Sequence, residues 1–442
     1  MAFSLFAKNK KGWFDLIKIV SDPDNNIHDE TNLIRISESS IDPIYYVNKE
    51  DAKLHRIMLA SGMKTTLPKI QNKMLNSEED FDNRHFFESD NYFVRTGNLE
   101  DTVLQEVYDQ CEDYDILSKP VLPTFPTPNG QSEKEYLKEL CRDGWRNILA
   151  KQGKVSNQED KDKYHHRFLR EFEVIDEAEL FGYFLIVQDI INFVTNNGWI
   201  AGPGRGSAAG CLISYMLGIT KIDPIQYDLL FERFYNSGRN TGDHISLPDI
   251  DMDVPSNKRD EIISYIEDKY GKHNVSQMVT FGRLRGKSAL KEVLRIHEAC
   301  GFGLMNEITK PLRNEADISD GLQEMEEDER SIIRWSLLNE PDKFRDYCYI
   351  DDEGELRGDY AEYFKQAIDL EGTFKTQGKH AAGVVISKEP LEQVCPMVDQ
   401  KGGSDKIAAL EMDDLEALGH VKFDVLGLST LDKFMKVEEL IT

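Results

Sequence analysis

No stretch of this 442-residue chain stays apolar for long; its longest unbroken aliphatic and aromatic run, YFLIV at 183–187, is far too short to cross a bilayer, and no membrane partner is expected. The opening MAFSLFAKNKKG holds no apolar block of the length a secretory signal needs. Cysteine is scarce as well. Cys111, Cys141, Cys211, Cys300, Cys348 and Cys395 stand far apart with no C-x-x-C pair, which argues against a zinc knuckle or a disulfide scaffold and suits a reducing cytoplasm. Positive charge is also short: 53 Lys and Arg face 80 Asp and Glu, a net of −27. A protein that coats nucleic acid by bulk attraction carries the opposite sign, so a simple basic coat protein is excluded. A local basic groove or a carboxylate site for metal is not.

The length suggests two or three domains, and 40% hydrophobic with 30% charged residues is the balance of a folded chain. Residues 1 to about 115 alternate short strands and helices, beginning with a strand at 3–7 and an amphipathic helix through Trp13, Phe14, Ile17 and Val20. The segment KPVLPTFPTPNG, 119–130, carries too much proline for a helix or a central strand and is expected to be a connection. Helical periodicity runs from 133 to 150 and again from 160 to about 196, ending at Asn196, Asn197 and Gly198. A glycine-rich turn at 202–210 leads into an apolar helix at 211–218, followed by a strand at 246–254 and a helix at 259–270 with Ser256 as cap and Gly271 beyond its end. Residues 284–370 are mainly helical. Their run from Glu315 to Glu329 holds eight carboxylates and no base, the pattern of a solvated face. Strands return in AAGVVIS, KIAALEM and HVKFDVLG.

The strongest local signal is PDIDMDV at 248–254. On an extended strand Asp249, Asp251 and Asp253 share one face, and nothing basic lies between them to relieve their repulsion. An exposed edge strand can look like this, but carboxylate oxygens in a row also suit a hard cation such as Mg²⁺. A second strand, VKFDVLG, places Asp424 on the same face as Lys422. Paired with the first strand, it completes a three-carboxylate set of the kind that holds two metals roughly 4 Å apart for in-line phosphoryl transfer. The turn GPGRGSAAG matches the dinucleotide fingerprint only formally, because Asp223 downstream lies in a KIDP turn, and no Lys-Ser or Lys-Thr follows as in a Walker A loop. It offers backbone N–H groups, Ser207, Arg205 and a helix start, all suited to phosphate; a tight turn for close helix packing is the plainer alternative. In FGRLRGKSALKEVLRIH, Lys287, Lys291 and Arg295 recur every fourth residue on a helix, a local reversal of charge that favours a phosphate or nucleic-acid contact. His380 reads as structural, and His165 and His166 point apart on their helix, so neither makes a metal site.

Together these pieces resemble the family C replicative DNA polymerases, the bacterial DNA polymerase III alpha type. The matching stretches are FGYFLIVQDIINF, GPGRGSAAG, GITKIDPIQYDLLFERF, LPDIDMD, VTFGRLRGKSALKEV, KHAAGVVIS and VKFDVLGLSTL, in the family's order over nearly the whole chain. The resemblance implies an α+β fold: a polymerase-beta-like nucleotidyltransferase palm at 116–280 and 371–442, a helical thumb at 281–370, and a partial PHP-type α/β domain at 1–115. It implies two Mg²⁺ ions on Asp251, Asp253 and Asp424, with Asp249 in support. It also implies a triphosphate held by Gly204, Arg205, Gly206 and Ser207 with Lys287, Arg295 and Lys422. The reaction would add a deoxynucleotide to a primer 3′-hydroxyl, with primer–template DNA, dNTPs and replisome proteins as partners.

Two departures qualify that expectation. The H-x-H ligands of the PHP domain are missing, with only His28, His55 and His85 in the first hundred residues, so a metal-dependent exonuclease is not expected. The family's fingers and clamp-binding segments lie beyond the matched stretch, which implies a split or truncated polymerase that needs a second polypeptide. Cys211 stands where serine is common, and the longer loop at 235–246 could displace Arg239 from a phosphate contact. The alternative expectation is a non-catalytic DNA- or replisome-binding scaffold. A nicotinamide oxidoreductase leaves PDIDMD and Asp424 unexplained.

Overall fold

The computed structural model describes residues 3–22, 31–37, 51–69, 102–236, 238, 247–400 and 405–441. Arg239, His28 and His85 lie outside the described residues. The fold is α+β, with helices around a mixed sheet. The chain divides into two compact units, one made of Leu5–Arg35, Val107–Thr280 and Lys379–Thr442, the other of Met1–Ser4, Ile36–Glu106 and Phe281–Gly378. The first hundred or so residues therefore contribute to both. Among the described residues no single helix is long and apolar enough to cross a membrane.

Strands β1 (Phe3–Ala7) and β2 (Leu33–Ser37) pair with each other. The main sheet has six strands, in chain order β3 (Asp251–Pro255), β4 (Val275–Arg283), then, after a small β5 (Tyr349–Ile350) and β6 (Leu356–Arg357) hairpin, β7 (Phe374–Ile386), β8 (Met397–Asp399), β9 (Lys406–Ala408) and β10 (Val421–Leu428). Their spatial order is β3-β10-β7-β4-β9-β8. β10 runs parallel to β3 and antiparallel to β7, so the last strand in sequence is wedged beside the first of the sheet.

One face of this sheet rests on the helix Phe181–Asn196, in which Phe184, Leu185, Ile186 and Val187 are all fully buried. A helix this rich in apolar residues belongs inside, and here it forms the centre of the larger core, with Tyr183 stacked on Phe423 of β10 and Phe193 on Tyr265. The second unit has its own core around Leu290, Val293, Leu294, Phe344 and Phe364.

Several expected features are present. Ser132 and Glu135 form a capping box that starts the helix Glu133–Gly144. The proline-rich segment has no helix or strand before a 3₁₀ turn at Pro128–Gly130, and is pinned by the Val121 N–H on the Gly419 carbonyl. Gly198 and Gly271, both at positive φ, follow the ends of their helices. The acidic run from 315 to 329 is two 3₁₀ turns around a short helix, Ser319–Gln323, with mostly exposed side chains.

Three details differ. The helix expected from 160 to 196 is two, Gln158–Glu177 and Phe181–Asn196, bent by 113° where Glu179 takes φ 54° and closes the first helix. The strand expected from 246 begins only at Asp251. Pro248 has no N–H to donate, and the Ile250 N–H is taken by the Tyr183 hydroxyl, so neither joins a ladder. Finally, Ser256 opens a 3₁₀ turn and Lys258 occupies the cap position of the next helix.

Candidate active site

The parallel pairing sets Asp424 directly opposite Asp251 and Leu426 opposite Asp253. Alternation sends Met252, Val254, Phe423 and Val425 into the core, all essentially without solvent exposure. The carboxylates are thereby forced onto the other face, together. One oxygen each from Asp249, Asp251 and Asp424 lies within 4.8 Å of the others. Lys422, two residues back on β10, reaches one oxygen of Asp424 at 2.8 Å. The other, Oδ1, is buried and has no hydrogen-bond partner among the described residues. A lone buried carboxylate oxygen beside two more carboxylates is unfavourable unless something positive completes it. Oxygen donors this hard and this close fit a divalent cation such as Mg²⁺.

The electrostatics carry the same mark. Partial burial raises the Asp249 carboxyl above its ordinary value; Lys422 opposes the shift, and the charges of Asp424 and Asp251 reinforce it. Burial raises Asp251 as well, with Arg205 opposing and Asp424 and Asp253 reinforcing. A carboxyl whose folded pKa is raised binds more protons folded than unfolded, so it withdraws stability as pH climbs from its ordinary value through the raised one. Below the ordinary value of 3.8 both states are protonated and the effect is gone. Metal-free Asp249→Asn is therefore expected to melt above the wild type at pH 7, with the gap closing as the pH is lowered toward 3.8. Thermal unfolding in chelator across that range measures it, and a constant gap would contradict the assignment.

The glycine turn lies against this carboxylate strand. The Gly202 N–H donates to the Asp253 carbonyl at 2.9 Å, and a Cβ on Gly202 would fall 2.6 Å from that of Asp253. Gly204 sits at φ 90° and Gly206 at φ 62°, a backbone that glycine adopts readily. Arg205 turns toward the carboxylates, with Nε 3.0 Å from Asp253 and Nη2 3.1 Å from Asp251. Ser207 and Asp249 line one cavity of about 230 Å³ with Arg233. Ser207 and Arg233 also line a larger one of about 530 Å³ with Gly206 and Gly210.

The structure thus brings Asp249, Asp251, Asp253, Asp424, Lys422, Gly204, Arg205, Gly206 and Ser207 into one unit and onto one site. Lys287 and Arg295 belong to the other unit, on the helix Gly286–Ile296. Arg295 is engaged there by Glu292, which burial alone would raise but which Arg295, Lys375 and Ser61 hold at about 2. Lys287 makes no ion pair among the described residues. Asp223 is buried in its turn, taking the Tyr164 hydroxyl and Lys154, which leaves no role for it at a ribose. His380 accepts the Gly383 N–H at 2.6 Å, a structural task.

Sequence reasoning missed two groups. Arg233, within LLFERF, faces both cavities, and its place beside a phenylalanine-rich turn carries no signal of that. Arg167 and Glu171, in YHHRFLREFE, were hidden behind the histidines; only their i, i+4 spacing hinted at a pair.

Residues 135–427, which hold every one of these site residues, match the family model of the bacterial DNA polymerase III alpha NTPase domain. The DNA polymerase III subunit alpha of Pseudomonas aeruginosa is 33% identical over 402 residues, covering 90% of this chain and 32% of the relative. That of Bacillus subtilis is 32% identical over 429 residues, covering 92% and 34%, and that of Aquifex aeolicus 32% over 450 residues, covering 94% and 37%. The chain spans about a third of the length of these curated relatives. With a family match over most of its length and the carboxylate strands inside it, this chain belongs to the bacterial DNA polymerase III alpha family.

Proposed function

We propose that this chain is the nucleotidyl-transfer portion of a replicative DNA polymerase, adding deoxynucleotides to a primer 3′-hydroxyl with release of pyrophosphate. The observation that carries the proposal is the meeting of Asp251 and Asp424 across β3 and β10, with a buried Asp424 oxygen that has no partner among the described residues, beside a glycine turn. Asp251, Asp253 and Asp424 would hold two Mg²⁺ ions, with Asp249 in support. Bound there, magnesium supplies a lowered pKa for the attacking hydroxyl and charge stabilisation for the transferring phosphoryl group. Lys422 fixes the orientation of Asp424 through its ion pair. Gly204 and Gly206 open the backbone of the turn so that N–H groups and the Ser207 hydroxyl face a triphosphate. Arg205 pairs with Asp251 and Asp253 and is the cation for which a triphosphate would compete.

In the same proposal residues 116–280 and 371–442 form the palm, 281–370 the thumb, and 1–115 a partial PHP-type domain. Lys287 and Arg295 would contact phosphate, as the resemblance to the family implies. Primer–template DNA, dNTPs and replisome proteins are the partners, in the cytoplasm.

The test is incorporation of a single labelled deoxynucleotide onto a primer–template in magnesium. It is run with this chain alone and with a polypeptide equivalent to the remaining part of the relatives. Incorporation in the mixture, abolished by chelator, is the expected result. DNA binding that needs no magnesium, with no incorporation in either reaction, would put a non-catalytic scaffold in its place.

A further inference from the structure

The two walls of the 530 Å³ cavity are short and irregular. Gly206, Ser207 and Gly210 form one, on a single 3₁₀ turn; Asp228, Leu229 and Arg233 form the other, on a bend ending in another. Neither has the ladder of hydrogen bonds that fixes a longer helix or a strand. Yet they come so close that a Cβ on Gly210 would lie 2.7 Å from the Leu230 carbonyl oxygen. Their spacing is set from behind. Arg167, on the helix Gln158–Glu177, sends one nitrogen, Nη2, to both walls, 2.7 Å from the Gly210 carbonyl and 3.0 Å from the Leu229 carbonyl. Its Nε donates to Glu171 at 2.6 Å. Glu171 has no solvent exposure and accepts the Leu212 and Ile213 N–H groups at 3.0 Å each, with the Cys211 thiol at 3.4 Å.

We infer that Arg167 and Glu171 are positioning residues that hold the two walls at the separation a triphosphate requires, without touching the nucleotide. The inference rests on the proposed phosphate role of the glycine turn. Arg167 ties wall to wall, and Glu171 ties the turn to the helix that follows it. A guanidinium suits the task because its planar fork serves two carbonyls and a carboxylate at once, which an ammonium on a flexible stem does less well. A carboxylate buried among N–H donors is rigid and charge-assisted, so the arrangement has little freedom to drift.

The experiment measures dATP binding to the full chain in magnesium by calorimetry, beside hydrogen exchange of the backbone amides at 206–213 and 228–233. Arg167→Gln is expected to speed exchange in both segments together and to weaken dATP binding by roughly tenfold to a hundredfold, the scale of an ångström-level misplacement. Arg167→Lys should recover part of both effects. If Arg167→Gln does not fold, because Glu171 is left buried without its cation, the uncharged double variant R167M/E171Q gives the same two readouts. Exchange that is unchanged, or that rises in one wall alone, overturns the inference. So does unchanged dATP affinity in a variant whose two walls have loosened. A wild-type chain that binds no dATP while both walls respond to Arg167→Gln overturns the phosphate role of the turn and supports the strut.

Discussion

Asp424→Asn is expected to lower nucleotide incorporation by on the order of 10² to 10³-fold and to weaken divalent-ion binding in parallel. The substitution keeps the size of the side chain and its place on β10, so the fold of the two strands should survive. What it removes is the negative charge at the centre of the carboxylate set, opposite Asp251 and paired with Lys422. Oδ1, without a hydrogen-bond partner among the described residues, is the atom that most needs a cation, and an amide satisfies it differently: either its oxygen remains neutral or its NH₂ points into the site. Manganese binding by calorimetry and single-nucleotide incorporation measure the two effects, and retention of both in Asp424→Asn would sink the metal assignment. Asp251→Asn should match it, since the two residues face each other. The third position is decided by comparing Asp249→Asn with Asp253→Asn. In the structure Asp249 completes the tight trio while Arg205 pairs with Asp253. If Asp253→Asn is the more damaging, Asp253 and not Asp249 is the third ligand, as the resemblance to the family implies.

Much of this site was legible because it depends on the shortest-range rules. Two-residue alternation puts Asp249, Asp251 and Asp253 on one face, and a single acid in an apolar strand identifies β10 as a candidate neighbour. Proline density and glycine after a helix are equally local, and the linker, Gly198 and Gly271 follow them. What could not be read is set by partners distant in sequence. Where β3 begins depends on the Tyr183 hydroxyl taking the Ile250 N–H, a contact across 67 positions. The break at Glu179 lacks a glycine, so the usual mark of a left-handed residue was missing. Arg167 looks like any charged residue of an exposed helix until Gly210 and Leu229 are placed beside it. The grouping of the first hundred residues into two units has no local signature at all.

Gly144→Ala is expected to destabilise the protein by about 3 kcal/mol or more, against what helix propensity alone predicts. Gly144 closes the helix Glu133–Gly144, where a π-helical turn, Trp145–Ala150, takes over, with φ −60° and ψ −41°. Any residue can adopt that backbone, and alanine would ordinarily favour the helix by about 1 kcal/mol. The sign is reversed by a neighbour. A Cβ at Gly144 would lie 2.0 Å from the carbonyl oxygen of Met216 and 2.7 Å from its carbonyl carbon, and these are backbone atoms that cannot rotate aside. Gly303, within the helix Phe302–Thr309, has nothing within 4 Å of its Cβ position and is the control. Gly303→Ala should be neutral or slightly stabilising, while Gly144→Ala should shift the chemical denaturation midpoint sharply downward. Equal midpoints would mean that the two backbones can slide apart freely. Such sliding is not expected, because Met216 ends the short helix that Glu171 anchors at its other end, directly after the glycine turn. Any shift that relieves the clash at Met216 must therefore pull on the turn, so Gly144→Ala should lose dATP affinity along with stability even though Gly144 itself lines neither cavity.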